Sequence, residues 1–387
     1  MRGRVFADFD AGKFLKDYWQ KRPLLIRDPW QAWSNPLEPD ELAGLACEAG
    51  IESRLITMAG ADNWEVEHGP LPQDRFTHLN EHPWTLLVQA VDHHVPAVAV
   101  LLEPFRFIPN WRVDDVMVSY AVDGGGVGAH FDQYDVFLVQ GLGRRRWQVG
   151  ARCDAATPLL PNEDLRLLAT FEPTEEWVLD PGDILYLPPG LAHNGVAVGD
   201  DCMTYSVGFR APSRSELISS WTDHVLDTLD DDDRYADPEL CRQDNPGEIA
   251  ASALARLHSM VAETLLDRNA FAAWFGEYTT APKSDQLDWR PEEAVTADDL
   301  QQHAARGAGL VRNPASRFSF IREEAGSLTM FVDGQSHCCT GPVAALAERL
   351  CAGDRVTLDR GLAGSAEAAA LIIDLLNRGC VAFEVAQ

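Results

Sequence analysis

Two histidines and an aspartate carry the clearest chemical signal in this sequence. His130 and Asp132 are two residues apart in the run 128–135, so on a β-strand their side chains would project from the same face. Two imidazoles and one carboxylate on one face of a metal form the arrangement that non-haem iron(II) oxygenases use, which leaves the opposite coordination positions open. We expect the third ligand to be His193, because it follows a strand and the rigid turn Pro188-Pro189-Gly190.

The His-X-Asp pair alone is weak evidence, since a chain with 11 histidines can place a surface histidine beside an aspartate by chance. Three features favour a metal site over that alternative. The pair lies at the glycine-rich start of a strand. The distal histidine follows a Pro-Gly-Asp turn, a strand and a Pro-Pro-Gly turn. A basic residue also lies where a cosubstrate of such an oxygenase would need one.

That basic residue is Arg145, in the run Gly-Arg-Arg-Arg-Trp-Gln-Val-Gly. Strand alternation places Arg145, Trp147 and Val149 on one face, and Arg144 and Arg146 on the other. The first face is less polar and should point inward, where a buried arginine needs an anionic partner. The distal carboxylate of a dicarboxylate would supply a bidentate one. We interpret Arg144 and Arg146 as a solvated basic patch.

The spacing of apolar residues changes along the chain, and it indicates which helices and strands position these residues. Before Trp111 short helical and strand signals alternate, including a helix that starts at Pro39 and a buried element at 85–91. Beyond Trp111 the period is two, with glycine and proline between short segments. The candidate strands are Val116–Val122, Val136–Gln140, Arg145–Val149, Glu176–Leu179, Asp183–Leu187 and Thr204–Phe209. Short strands at this spacing predict a sandwich or small barrel of the jelly-roll or cupin kind.

Helical periodicity returns at Ser213, which has the form of a capping box with Glu216. A second helix should carry an apolar stripe from Ile249 to Leu265, which would pack on the barrel or on a second subunit. The polar run Thr279–Pro291 is typical of a linker. The mixed helices and strands beyond it predict a small α+β unit of winged-helix type. The acidic run 230–233 is interpreted as a solvated loop.

Composition restricts the classes of function. The 60 acidic and 32 basic side chains give a net charge of −28, which indicates either solubility in a salty habitat or attraction of a basic partner. Direct nucleic-acid binding is disfavoured, because it needs a basic footprint. No apolar window is long enough for a membrane span, and the N-terminus has no signal-peptide core. Eight scattered cysteines without a CxxC pair indicate reduced thiols in a cytoplasmic protein.

Three strings resemble one known family. HFDQYDVFLVQGLGRRRWQVG, PGDILYLPPGLAHNG and YSVGFRAP are similar to the bacterial JmjC-type ribosomal oxygenases, and the resemblance is dense over roughly residues 15–215. It implies an α+β chain with a double-stranded β-helix, a helical dimerisation region and a C-terminal winged-helix-like domain. The expected bounds are 1–212, 213–282 and 292–387. It also implies a 2-oxoglutarate-dependent arginine 3-hydroxylase of large-subunit ribosomal protein sixteen, which acts as a homodimer.

The resemblance also assigns residues. It implies that His130, Asp132 and His193 bind Fe(II), and that Arg145 anchors 2-oxoglutarate, with O2 as the other cosubstrate. A pocket for the target arginine is implied at four positions: Asp115, Met117, Tyr134 and Ser206. An aspartate suits a guanidinium. Alternatively Asp115 only ends a loop, and Met117 and Tyr134 belong to the barrel core.

Two other functions remain open from the sequence. A JmjC-type hydroxylase or demethylase of another basic protein would have the same metal ligands, so only its substrate pocket would differ. A non-catalytic, cupin-like interaction protein would not need intact ligands at 130, 132 and 193. Succinate formation from 2-oxoglutarate separates an oxygenase from such a scaffold, and a peptide panel separates the substrates.

Overall fold

The computed structural model describes residues 6–60, 63–79, 82–162, 164–230, 232–283, 287–358 and 360–384. The strands are β1 Leu24–Ile26, β2 Ser53–Gly60, β3 Asn63–His68, β4 Trp84–Val88, β5 Val113–Ala121, β6 Asp135–Arg152, β7 Glu175–Leu179, β8 Ile184–Leu187, β9 Leu191–Phe209, β10 Gly309–Arg312, β11 Phe318–Arg322, β12 Leu328–Val332, β13 Gln335–Cys339, β14 Arg355–Thr357 and β15 Val381–Phe383. The helices are α1 Ala11–Asp17, α2 Pro39–Ala46, α3 Val91–His94, α4 Pro96–Ala99, α5 Arg214–Thr228, α6 Ala251–Leu265, α7 Arg268–Thr280, α8 Ala297–Ala305, α9 Gly341–Ala352, α10 Arg360–Gly364 and α11 Ala366–Asn377. The mixture confirms the α+β class.

The first nine strands form one curved antiparallel sheet in the order β1-β8-β6-β9-β5-β4-β2-β3, with β7 also paired to β6. Strands β6 and β9 run alongside each other over nearly their full lengths. The first half of β6 has β8 on its other side, and the second half has β7. Each long strand therefore contributes to two differently oriented parts of the sheet, as a jelly-roll barrel requires.

The two predicted strands Val136–Gln140 and Arg145–Val149 are one strand, β6, so the expected break between them is wrong. The glycines there bend the strand instead of ending it. The β6–β9 register shifts on both sides of Leu142, and Gly143 has a φ of +55°. The predicted strand Thr204–Phe209 is likewise only the last third of β9.

The barrel core consists of buried side chains on the inward face of the sheet and of α1 to α4. Its fully buried large members include Phe14, Phe105, Phe137, Tyr186 and Phe209. Their rings contact one another, with Phe105 and Phe137 centroids 4.5 Å apart. Aromatic burial of this size supplies much of the apolar area that stabilises a domain. A rigid barrel wall is the result, and the candidate site residues project from it.

The chain after the barrel forms three further helices and a small α+β unit. The Ser213 side chain accepts the Glu216 amide, and the Glu216 carboxylate accepts the Ser213 amide, which confirms the capping box. Helix α7 continues to Thr280, so the predicted linker begins later than Thr279. The C-terminal strands form two three-stranded sheets, β14-β10-β15 and β11-β12-β13, around a separate core.

The structure bears on two expectations from the sequence, which concern disulfide bonds and membrane-spanning helices. All eight cysteines are free thiols, so the expectation of unpaired cysteines is confirmed. Within the described ranges, no helix combines the length and the apolarity that a membrane crossing needs.

Candidate metal centre and cosubstrate pocket

The structure brings together the three residues that the sequence selected as metal ligands. His193 Nε2 lies 3.6 Å from Asp132 Oδ2, and His130 Nε2 lies 3.9 Å from the same oxygen. One ligand atom from each residue falls within 4.8 Å of the other two. Two imidazole nitrogens and a carboxylate oxygen are a donor set that suits iron(II). The three side chains could therefore hold one metal ion.

Backbone pairing places these ligands. Residues 130 and 193 form an isolated antiparallel bridge, in which each amide donates to the other's carbonyl, at 3.0 and 2.8 Å. The Gly190 amide donates to the Asp132 carbonyl at 2.6 Å, so the Pro-Pro-Gly turn is hydrogen-bonded to the backbone of the carboxylate ligand. Gly190 has a φ of +75°, a conformation that favours glycine. The turn between β8 and β9 thus fixes the relative positions of all three ligands.

Both imidazoles are oriented by hydrogen bonds from their other ring nitrogen. His130 Nδ1 lies 2.9 Å from the Gly128 carbonyl, and His193 Nδ1 lies 2.9 Å from the Leu191 carbonyl. A carbonyl can only accept, so each Nδ1 carries the proton and each Nε2 is free to bind a metal. Burial, and next His130, lowers the pKa of His193 to about 4. The imidazole of His193 is therefore neutral at physiological pH, as a metal ligand must be.

Arg145 lies on β6 with Trp147 and Val149 on the inward face, while Arg144 and Arg146 are exposed, as the alternation predicted. The Arg145 side chain is only 3% exposed, and among the described residues its Nε and Nη2 atoms have no hydrogen-bond partner. An arginine without a partner in the interior costs free energy unless an anion binds it. The unsatisfied guanidinium fits a carboxylate ligand.

Trp147 lies close to both this arginine and the metal ligand His193. Its ring centroid lies 5.9 Å from that of His193, and the Arg145 guanidinium lies 5.8 Å from the ring centre. A β-carbon at Gly195 would lie 2.6 Å from the Trp147 ring, so only glycine permits this packing. The Trp147 indole nitrogen is buried, and no described residue accepts a hydrogen bond from it. A polar ligand atom between Arg145 and the triad would satisfy both side chains.

Asp135 is a positioning residue that the sequence reasoning did not select, although it belongs to the QYDVF string. Its carboxylate is fully buried and accepts hydrogen bonds from Tyr186 Oη at 2.6 Å and from Arg112 Nη2 and Gln20 Nε2 at 2.9 Å each. These bonds join the start of β6 to β8 and to the chain after α1. The network fixes the first residue of β6, which follows Asp132 by three residues.

The four predicted substrate-pocket residues have different environments. Met117 and Ser206 are register partners on β5 and β9, and both are half-buried. Tyr134 is 42% exposed over its whole side chain, whereas its hydroxyl is surrounded by protein atoms. That burial, and then the carboxylates of Asp132 and Asp115, raises the pKa of Tyr134. Tyr134 thus lies within electrostatic reach of both the metal ligand and the candidate guanidinium acceptor.

Asp115 is buried and does not end a loop, because it lies inside β5 at a β-bulge. The register shifts between Val113 and Val116, so Asp114 and Asp115 together oppose one residue of β9. Both carboxylates lie 2.8 Å from Lys283 Nζ. Sequence reasoning missed Lys283, because it lies 168 residues away from Asp115 in a polar linker.

Comparison with known proteins agrees with this geometry. Residues 100–217 match the family model of the JmjC domain, and residues 261–382 match that of the ROXA-like winged helix. The chain is 41% identical over 299 residues to the ribosomal protein uL16 3-hydroxylase of Escherichia coli, which covers 77% of this chain and 79% of that protein. It is 47% identical to a probable ribosomal oxygenase of Haemophilus influenzae, over 53% of this chain and 50% of the relative.

Solved structures extend the similarity to the whole chain. The X-ray structure of Escherichia coli ycfD matches with a TM-score of 0.89 and 35% identity, covering 99% of this chain and 100% of that one. A structure of the same ribosomal oxygenase in complex with cobalt and 2-oxoglutarate matches with a TM-score of 0.86 over the same shares. The match includes the C-terminal unit, so the winged-helix expectation is confirmed.

Proposed function

This chain belongs to the JmjC-domain ribosomal oxygenases, and we propose that it hydroxylates the β-carbon of an arginine in large-subunit ribosomal protein uL16. The reaction consumes 2-oxoglutarate and O2, and it yields succinate, CO2 and the hydroxylated arginine. The observation that carries the proposal is the preformed triad of His130, Asp132 and His193 together with a buried Arg145 whose Nε and Nη2 have no partner in the described part of the chain. A metal-binding scaffold would not need that arginine.

The proposed roles follow from the side chains. His130, Asp132 and His193 would hold iron(II), which together with 2-oxoglutarate supplies the chemistry that inserts one oxygen atom into a C–H bond. Arg145 would bind the distal carboxylate of 2-oxoglutarate with two parallel hydrogen bonds. Its depth in the barrel fixes the orientation of the cosubstrate. The Trp147 ring excludes water from the space between them.

We place the target arginine against four residues: Asp115, Met117, Tyr134 and Ser206. The Asp115 carboxylate would bind the guanidinium, and the Met117 side chain would contact the aliphatic stem. Tyr134, whose hydroxyl interacts electrostatically with both this acid and Asp132, would guide the chain of the substrate toward the metal. The net charge of −28 would attract a basic ribosomal protein over a longer range.

We also propose that the chain forms a homodimer through α5 and α6. Helix α6 has 15 residues, an apolar stripe and no buried residue. Several large apolar side chains on these helices and at the end of α6 are 41–77% exposed: Ile218, Leu226, Leu254, Leu257, Val261 and Leu266. A monomer seldom leaves such a contiguous apolar face in water. A second copy would cover it with the same face, as two-fold symmetry allows.

The domain bounds and the location in the cell stay proposals. Separate hydrophobic cores in the barrel, between α5 and α7, and in the C-terminal unit support units at 1–212, 213–282 and 292–387. The winged-helix family match begins earlier, at residue 261, inside α6. Free cysteines and a ribosomal substrate agree with a cytoplasmic protein.

The test is incubation of the enzyme, with iron(II) and 2-oxoglutarate, with a fragment of the organism's own uL16. Mass spectrometry should detect the gain of one oxygen atom on an arginine, with succinate formed in equal amount. The gain should be absent with His130→Ala. If the arginine were unmodified and a histidine were oxidised instead, the assignment of the target residue would be wrong, but the assignment as an oxygenase would stand. No succinate with any basic peptide would overturn the enzyme assignment.

A further inference from the structure

The side chain of Lys283 binds to the acid that we assign to the target arginine. Lys283 Nζ lies 2.8 Å from Asp115 Oδ2 and 2.8 Å from Asp114 Oδ2. The β-bulge makes this possible, because it turns two consecutive carboxylates toward one ammonium. The Asp115 side chain is only 7% exposed. In this structure its charge is compensated from within the chain.

The two carboxylates do not depend on Lys283 equally. Asp114 is also approached by two arginines, with Arg317 Nη2 at 3.4 Å and Arg210 Nε at 3.9 Å. In the described part of the chain, Lys283 is the cation that hydrogen-bonds to Asp115. If the lysine left, Asp114 would keep its arginines, while Asp115 would be a buried carboxylate ready for another cation.

Lys283 is placed where it can leave. It follows the end of α7 by three residues and belongs to the connection that leads to α8 at Ala297. Its side chain is 34% exposed, so it can turn toward solvent without opening a buried core. An ammonium on a four-carbon stem makes a point contact, whereas a guanidinium can bind a carboxylate with two hydrogen bonds. An arriving arginine can therefore replace the lysine at Asp115.

We propose that Lys283 occupies the guanidinium position at Asp115 in the free enzyme and is displaced by the target arginine. This inference rests on the proposed function, because it takes Asp115 as the acceptor of the substrate. The lysine keeps the buried acid neutralised between turnovers. The same contact weakens the apparent affinity for every cationic side chain by one factor, since only the fraction of enzyme with Lys283 displaced can bind. Lys283 thereby lowers the apparent affinity of the arginine pocket for its substrate.

The test measures binding of three uL16 peptides that carry arginine, lysine or neutral citrulline at the target position. The intact enzyme is loaded with Mn(II) in place of iron, so that no turnover occurs. Compared with wild type, Lys283→Ala should bind the arginine peptide at least about fivefold more tightly, and the lysine peptide more tightly by the same factor. The two enzymes should bind the citrulline peptide with equal affinity. With iron, the KM of Lys283→Ala for the arginine peptide should fall at unchanged kcat. Lys13→Ala is the matched control, since Lys13 forms an exposed pair with Asp17 at 2.9 Å.

Lys283→Arg tests the same point without removing the charge. A guanidinium at residue 283 should compete more strongly, so arginine peptide binding should weaken several-fold. Unchanged or weaker peptide binding by Lys283→Ala, together with unchanged binding by Lys283→Arg, would overturn the inference. If wild type hydroxylates the arginine peptide and these variants match it, only the inference fails. If wild type leaves every arginine peptide unmodified, the proposed function fails instead.

Discussion

His130 and His193 face each other across a two-residue β-bridge, and their imidazole centroids lie 4.3 Å apart. The bridge uses only backbone atoms, so it does not depend on the metal or on the imidazoles. Each ring is oriented further by its own hydrogen bond to a backbone carbonyl. The ligands are thus arranged before a metal binds, and metal binding should not be coupled to folding in the way that it is in a zinc finger.

The first prediction concerns His130→Ala. We expect this variant to lose stoichiometric iron binding and at least ~100-fold of its hydroxylation rate, because one of three protein ligands is missing. Its thermal unfolding should stay close to that of metal-free wild type, because the bridge to His193 is unchanged. Metal analysis, succinate formation and calorimetry measure these quantities. His68→Ala is the control, since that side chain is 61% exposed. Full activity of His130→Ala would contradict the site.

The second prediction separates Arg145 from its exposed neighbour Arg146. Without 2-oxoglutarate, Arg145→Met should unfold at a temperature about 2 °C higher than wild type, since a buried cation without a partner is removed. With Mn(II) and saturating 2-oxoglutarate, wild type should gain about 2–3 kcal/mol of stability, whereas Arg145→Met should gain almost none. Arg146→Met should respond as wild type does. Differential scanning fluorimetry measures each shift. If 2-oxoglutarate raised the unfolding temperature of Arg145→Met and Arg146→Met equally, Arg145 would not be part of the cosubstrate site.

Much of this site could be predicted from the sequence, because its determinants are local. The inward face of Arg145 and the turn before His193 follow from strand alternation and turn chemistry. The expected strand through His130 and Asp132 is wrong, because His130 forms only an isolated bridge and β6 begins at Asp135. The bend inside β6 could not be predicted in this way. Gly141 and Gly143 are typical of a break between strands, and only the pairing with β9 keeps the strand continuous.

Contacts between distant parts of the chain account for the rest of what the sequence did not predict. Lys283 is an ordinary lysine in a polar linker, and nothing in its neighbourhood indicates the two carboxylates that it meets. The bulge at Asp114 and Asp115 is visible only in the register with β9. The apolar stripe of α6 was predicted correctly, but periodicity cannot show that it faces outward.

The third prediction tests the proposed dimer. Leu257 is 41% exposed on α6, and a glutamate there would place a charge in the apolar face between two copies. Leu257→Glu should be a monomer by light scattering at concentrations where wild type is a dimer. Leu15→Glu is the matched control, because Leu15 is 38% exposed on α1, away from these helices. A monomeric wild type would refute the dimer directly. If Leu257→Glu is still a dimer, the interface does not include this face of α6.

The fourth prediction concerns Asp92, a buried acid next to the candidate substrate pocket. Burial raises its pKa to about 7, with a further increase from Asp115, while the Val116 amide and Lys283 lower it. His93 Nε2 lies 3.8 Å from the carboxylate, and burial lowers the pKa of that imidazole to about 4, so it stays neutral. The neutral imidazole therefore does not offset the cost of ionising Asp92, and the Lys283 ammonium offsets only part of it.

The sign of the pH effect follows from the raised pKa. The native state keeps the Asp92 proton up to a pH of about 7, whereas the unfolded chain releases it near 3.8, so wild type loses stability as the pH rises through this window. Asp92→Asn cannot ionise and can still accept the Val116 amide. Its stability relative to wild type should therefore be greater at pH 8 than at pH 5.5, by about 2 kcal/mol. Urea unfolding at both pH values measures the difference. Asp230→Asn, at an exposed position, makes the same change of charge and should show no such dependence. A constant difference between Asp92→Asn and wild type at the two pH values would show that Asp92 is ionised throughout.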